Sequence, residues 1–127
     1  MSDDKVHHIS SAAELSALMS STTYVAVDFY ADWCPPCKQI APIYAQLSKS
    51  NSLEGQLAFA KVNVDHVRDV AATYQVTAMP TFKFFKEGKH VGVNGQPMIQ
   101  GADPRALGAA VEKLSGLAKK RAAEASS

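Results

Sequence analysis

Seven consecutive residues, Tyr24-Val25-Ala26-Val27-Asp28-Phe29-Tyr30, constrain the fold more than any other part of the chain. Nearly all are apolar, β-branched or aromatic, the pattern of a strand buried on both faces, as in a parallel sheet. Leu57 to Asp65 reads as a second buried strand, and Thr81-Phe82-Lys83-Phe84-Phe85 as a third core strand. A sheet covered on both faces needs helices on both faces, and the intervening segments supply them. Ser11 to Ser21 carries Leu15, Leu18 and Met19 on one face, and Ser11 and Glu14 have capping-box spacing. Cys34 to Lys49 carries Ile40, Ile43, Tyr44 and Leu47 at helical spacing. Pro35 and Pro36 suit that helix's first turn, and Pro42 is expected to kink it. Val67, Val70, Ala71 and Tyr74 mark a short helix.

From Pro104, a stripe of Leu107, Ala110, Val111, Leu114, Leu117 and Ala118 marks a last helix. Lys119-Lys120-Arg121 end it in a way that suits the helix dipole. Lys5 to Ile9 reads as an edge strand, and Glu87-Gly88 as a turn. Asn94-Gly95 is a hairpin signal that predicts pairing of residues near 89–93 with 97–100. The order β-α-β-α-β-α-β-β-α gives an α/β fold with a mixed sheet: right-handed crossovers build a parallel core and a terminal hairpin adds antiparallel edges.

At 127 residues the chain suits one domain, and 46% hydrophobic residues suffice for a core without staples. The expected domain is 1–121, with 122–127 a frayed tail or the start of a linker in a longer protein. Thirteen basic and twelve acidic residues leave a net charge of +1. That balance argues against nucleic acid or an anionic membrane as the main partner. No apolar run approaches the ~20 residues of a membrane helix. The start, Met1-Ser2-Asp3-Asp4-Lys5, is polar and is followed by no signal-peptide run. The two cysteines, Cys34 and Cys37, are too close to cross-link distant parts of the chain. The sequence therefore reads as intracellular, with a cysteine pair kept for chemistry.

Cys34-Pro35-Pro36-Cys37 follows a buried strand and opens a helix. The i, i+3 spacing brings the two β-carbons to ~5–6 Å, near disulfide geometry. A cysteine at a helix N-terminus is favoured as thiolate. Such a thiolate attacks a disulfide, and the second thiol resolves the mixed disulfide. Two unreactive thiols, or half of a zinc site, are the alternatives. Zinc takes four ligands, and His7, His8, His66 and His90 lack ligand spacing to the pair. His7 and His8 are expected to be solvent-exposed.

Asp28-Phe29-Tyr30-Ala31-Asp32-Trp33-Cys34-Pro35-Pro36-Cys37-Lys38 resembles the active-site segment of the thioredoxin family. Ala78-Met79-Pro80-Thr81 resembles the loop that carries the family's cis-proline. The resemblance runs through Lys61-Val62-Asn63-Val64-Asp65 and Gly101, over roughly residues 6–117. In appearance it is closest to the N-terminal domain of fungal thioredoxin-like proteins.

The resemblance implies a thioredoxin fold, a central mixed sheet with helices on both faces, and a protein-disulfide reductase. Cys34 would attack from the exposed lip of the helix N-terminus, and Cys37, buried one turn inside, would resolve. Asp28 would handle the Cys37 proton, tuned by Lys61; the plainer alternative is a structural aspartate paired with that lysine. Pro80 would be cis, and Met79 would offer its backbone to an extended substrate strand. Trp33, Pro35 and Pro36 would belong to the substrate-binding rim, and Gly101 would let a substrate backbone approach. The resemblance also implies no bound cofactor or metal, electrons from an NADPH-dependent thioredoxin reductase, disulfide-containing protein substrates, a monomer, and a cytoplasmic or also nuclear location.

Two features depart from the family's usual pattern. Pro-Pro replaces the more common Gly-Pro between the cysteines, and the segment between Gly88 and Gly101 is several residues longer. Two other readings stay open: a redox-capable interaction module of a larger assembly, and a metal or cluster carrier built on the cysteine pair across a dimer.

Overall fold

The computed structural model describes residues 4–126. Ten elements follow one another: β1 (Val6–Ile9), α1 (Ala12–Ser21), β2 (Tyr24–Tyr30), α2 (Pro35–Asn51), β3 (Leu57–Asn63), α3 (Arg68–Thr73), β4 (Thr81–Lys86), β5 (Lys89–Val91), β6 (Ile99–Gln100) and α4 (Pro104–Ser126). Strand order is β1-β3-β2-β4-β5, with β6 also on β4. The β1–β3 and β2–β3 ladders are parallel, and β4 is antiparallel to β2, β5 and β6. The apolar run that forms β2 thus lies at the centre of the sheet, buried along its length up to Asp28 and Phe29.

Side chains alternate across the sheet. Tyr24, Ala26, Phe59, Phe82 and Phe84 pack against Ile40 and Tyr44 of α2 and the Leu107–Ala118 stripe of α4. Val25, Val27, Phe29, Val62 and Phe85 pack against Leu15 and Met19 of α1 and Val70 of α3. By the same alternation Asp28 and Lys61, paired in register, share the face covered by α2 and α4.

The structure departs from the sequence reading in several places. β5 and β6 do not pair with each other: both use the same edge of β4, at Phe84–Lys86 and at Thr81–Phe82. The Asn94-Gly95 turn closes only one bridge, Val93 with Gln96, and both turn residues have positive φ. β3 stops at Asn63 rather than Asp65, because the Asn63 side-chain oxygen accepts from the Asp65 and His66 amides and turns the chain. Ile43, expected in the core, is exposed on α2.

Helix α4 continues through Ala122 to Ser126 instead of fraying after Arg121; Ala and Glu there are strong helix formers. Arg121 therefore does not end the helix, and its guanidinium donates to Glu87 in the β4–β5 turn at 2.7 Å. Ser11 caps α1 by accepting from the Glu14 amide, while the Glu14 carboxylate accepts from Ser10. α2 runs unbroken through Pro42. His7 and His8 are exposed, as expected. The polar start at Met1–Asp3 and the last tail residue, Ser127, lie outside the described residues.

Candidate active site

β2 ends at Tyr30, and Ala31 is fully buried at the strand's exit. The Cys34 amide donates back to the Ala31 carbonyl at 3.3 Å, which turns the chain into α2. Cys34 is the N-cap of that helix, and Pro35 and Pro36 fill the next two positions. Neither proline has an amide hydrogen, so the first donor available to the cap is Cys37, the third residue on. Its N–H donates to Cys34 Sγ at 3.2 Å. Cys34 and Cys37 form a disulfide, with Cα atoms 5.2 Å apart. Ala31 and both cysteines make a small cluster with Tyr30, Val64 and Met79.

The two cysteines do not differ in exposure: Cys34 is 4% and Cys37 5% accessible. The sequence reading placed Cys34 on an exposed lip with Cys37 inside. The asymmetry instead lies in the amide that points at one sulfur and not the other.

Opposite the disulfide, the Met79–Pro80 peptide bond is cis. The Met79 carbonyl oxygen is 3.6 Å from Cys34 Sγ. The Pro80 carbonyl accepts from the Gly101 amide at 2.8 Å, which joins β6 to the site. Gly101 has φ +100 and nothing within 4 Å of where a Cβ would stand. Its backbone conformation requires glycine, and its outer side is open.

Among the described residues Trp33 is the most exposed large apolar one, at 65%. Its indole N–H donates to Asp65 Oδ2 at 2.9 Å. Sequence reasoning missed Asp65: the contact spans 32 positions and no local spacing announces it. Because Trp33 is the only tryptophan, Asp65→Ala should lower its fluorescence anisotropy and shift its emission, while stability changes by no more than about 1 kcal/mol. Unchanged emission and anisotropy would show that this bond does not hold the ring in solution.

Asp28 is 2% exposed, and its Oδ1 has no hydrogen-bond partner. Burial pushes its carboxyl up to about 7, against a smaller opposing pull from the Lys61 charge. Lys61 is not a close ion-pair partner: its Nζ lies over the Tyr30 ring, 4.3 Å from the centroid. No hydrogen bond joins Asp28 to Cys37. Tyr44, buried beneath α2, donates its hydroxyl toward the Ala60 and Ala26 carbonyls at 2.7 and 3.0 Å. It thereby ties the helix bearing Cys37 to the strands bearing Lys61 and Asp28.

The family model described as thioredoxin matches residues 5–113. The chain belongs to the thioredoxin family. It is 70% identical over 120 residues to a thioredoxin-like protein of Fusarium culmorum, covering 94% of this chain and 99% of that one. A thioredoxin of Neurospora crassa is 60% identical over 124 residues, covering 98% of each. Among solved structures, Plasmodium falciparum thioredoxin superposes with a TM-score of 0.76 at 40% identity, over 85% of this chain and 98% of that one. Thioredoxins work by dithiol–disulfide exchange, and the Cys34–Cys37 disulfide is the oxidised form of such a pair. The chain is thus a thioredoxin-family protein-disulfide oxidoreductase. Membership brings disulfide substrates and a reductase as general partners. No helix of the described residues is long and apolar enough to cross a membrane.

Proposed function

We propose that Cys34 attacks substrate disulfides, that Cys37 resolves them, and that Asp28 moves the Cys37 proton. The observation that carries this reading is the Cys37 amide directed at Cys34 Sγ from the first turn of α2. In the reduced protein that donor favours negative charge on Cys34. The Cys34 thiolate forms a bond to one substrate sulfur and expels the other as thiolate. Asp28, with a carboxyl near 7, accepts the Cys37 proton. The Cys37 thiolate then attacks Cys34 Sγ, closes the disulfide and releases the second substrate thiolate. Two electrons pass from the cysteine pair to the substrate, whose thiolates take up protons. The Lys61 charge keeps Asp28 from rising further.

The substrate's extended strand docks along the Met79 backbone, whose carbonyl lies 3.6 Å from Cys34 Sγ. The cis Pro80 and open Gly101 border that strand, and Trp33, Pro35 and Pro36 form the rim. Electrons return from NADPH through thioredoxin reductase. We place the protein in the cytoplasm, as a monomer that takes no bound cofactor.

The test is a coupled assay with NADPH, thioredoxin reductase and insulin. NADPH oxidation that depends on this protein supports the reading. No turnover with a reductase that recharges another thioredoxin in the same assay overturns it. The Pro-Pro insert gives a second test. Since the donor to Cys34 is the Cys37 amide and not residue 35, Pro35→Gly should leave the Cys34 pKa within about one unit, ~1.4 kcal/mol. Thiolate absorbance at 240 nm measures it; a shift of two units or more would mean that residue 35 controls the nucleophile.

A further inference from the structure

Lys83 stands in the middle of β4, opposite Val27 of β2, and is only 6% exposed. An isolated lysine is costly to bury and is rarely found so. Its Nζ donates to one group, the Tyr74 carbonyl, at 2.6 Å. Tyr74 is the C-cap of α3, where the last carbonyls have no partner within the helix. The Tyr74 ring is held as well, with centroids 5.2 Å from Phe85 and 6.1 Å from Phe29.

The chain leaves this anchor through Gln75, at φ +56, and reaches Met79 four residues later. The far end of the segment is also fixed. The Thr81 hydroxyl donates to the Ala78 carbonyl at 2.6 Å, and the Gly101 amide to the Pro80 carbonyl at 2.8 Å. The stretch Gln75–Met79 is therefore a short bridge between two clamps. At its near end the Gln75 and Val76 amides return to the Ala72 and Ala71 carbonyls, beside the Tyr74 carbonyl that the buried lysine holds, and at its far end the Met79 carbonyl faces Cys34.

We propose that Lys83 is a positioning residue for protein substrates: by fixing the Tyr74 carbonyl it sets where the Met79 backbone edge stands relative to Cys34. The inference rests on the reading of Met79 as the docking edge. Methionine at 83 would fill the space of lysine's apolar stem, one atom shorter and without the donor. The cysteines are held by α2, in a cluster that Met79 borders and Lys83 does not join. A small disulfide that needs no backbone docking should therefore react as before, and an extended peptide disulfide should not.

The experiment uses fully reduced protein in single turnovers. Wild type and Lys83→Met are each saturated with 5,5′-dithiobis(2-nitrobenzoate), with an extended peptide disulfide, and with that peptide N-methylated at the residue facing Met79. For Lys83→Met the half-saturating peptide concentration should rise about three- to tenfold, with the maximal rate little changed. Its rate with the small disulfide should match wild type. Wild type that fails to prefer the unmethylated peptide overturns the docking reading itself. Wild type that prefers it, beside a Lys83→Met that binds it equally well, overturns the role of Lys83 and leaves docking intact. Equal slowing of Lys83→Met on the small disulfide also overturns it, because the lysine would then support the site as a whole.

Discussion

Cys37→Ser, mixed with a protein disulfide, should accumulate a covalent adduct through Cys34 that dithiothreitol releases. Cys34→Ser should form none, and both variants should lose reductase turnover by about a hundredfold or more. The cause is division of labour across one helical turn. Cys34 caps α2 and has an amide aimed at its sulfur, while Cys37 spends its own amide on that contact. In the disulfide form the two residues are equally buried, so overall exposure does not distinguish them. Limiting alkylation of the reduced protein reads the same asymmetry. Labelling mainly at Cys37, or an adduct formed by Cys34→Ser, would reverse the assignment.

Asp28→Asn should stabilise the protein increasingly as pH rises. An unfolded aspartate titrates near 3.8, whereas the folded carboxyl titrates near 7 because burial disfavours its charge. Between those values the native state binds more protons than the unfolded state, so this group's contribution to stability falls as pH rises. The loss begins near pH 4 and is complete above about pH 7. A shift of ~3 units corresponds to about 4 kcal/mol. A buried amide without partners returns about 1–3 kcal/mol of that at every pH. The gap between variant and wild type should therefore widen by several kcal/mol between pH 4 and pH 8, measured by urea unfolding of the oxidised proteins. Resolution of the mixed disulfide should slow more than its formation. A pH-independent gap, together with unchanged turnover from pH 6 to 8, would leave Asp28 a structural residue.

The strands and helices were legible wherever burial is uniform. The unbroken apolar run of β2 and the 3.6-residue stripe of α4 are each decided by one kind of environment. The cysteine pair was legible because its chemistry needs only local spacing. What escaped the sequence was set by partners far along the chain. Asp65 meets Trp33 across the site, and Lys83 looks like the polar position of an alternating strand until Tyr74 takes its donor. The segment after Gly88 misled for a related reason. Asn94-Gly95 does turn the chain, but β4 still had an unpaired edge, and both flanking segments went there instead of to each other. Ile43 fits helical spacing yet lies at the margin of the stripe, where a small rotation of α2 decides between core and solvent.

The sheet order also bears on how the site comes into being. β2, the strand that delivers the cysteines, is completed only by β3 and β4, whose residues are made much later. Closing those long loops costs more entropy than forming a helical turn, so such pairings come late in folding. The two sulfurs, three positions apart, can meet in a nascent chain with no sheet at all. The carboxyl that serves Cys37 acquires its burial only when the final strands arrive. A ribosome-bound fragment should accordingly lack the buried proton acceptor for Cys37, which should emerge with the last third of the chain.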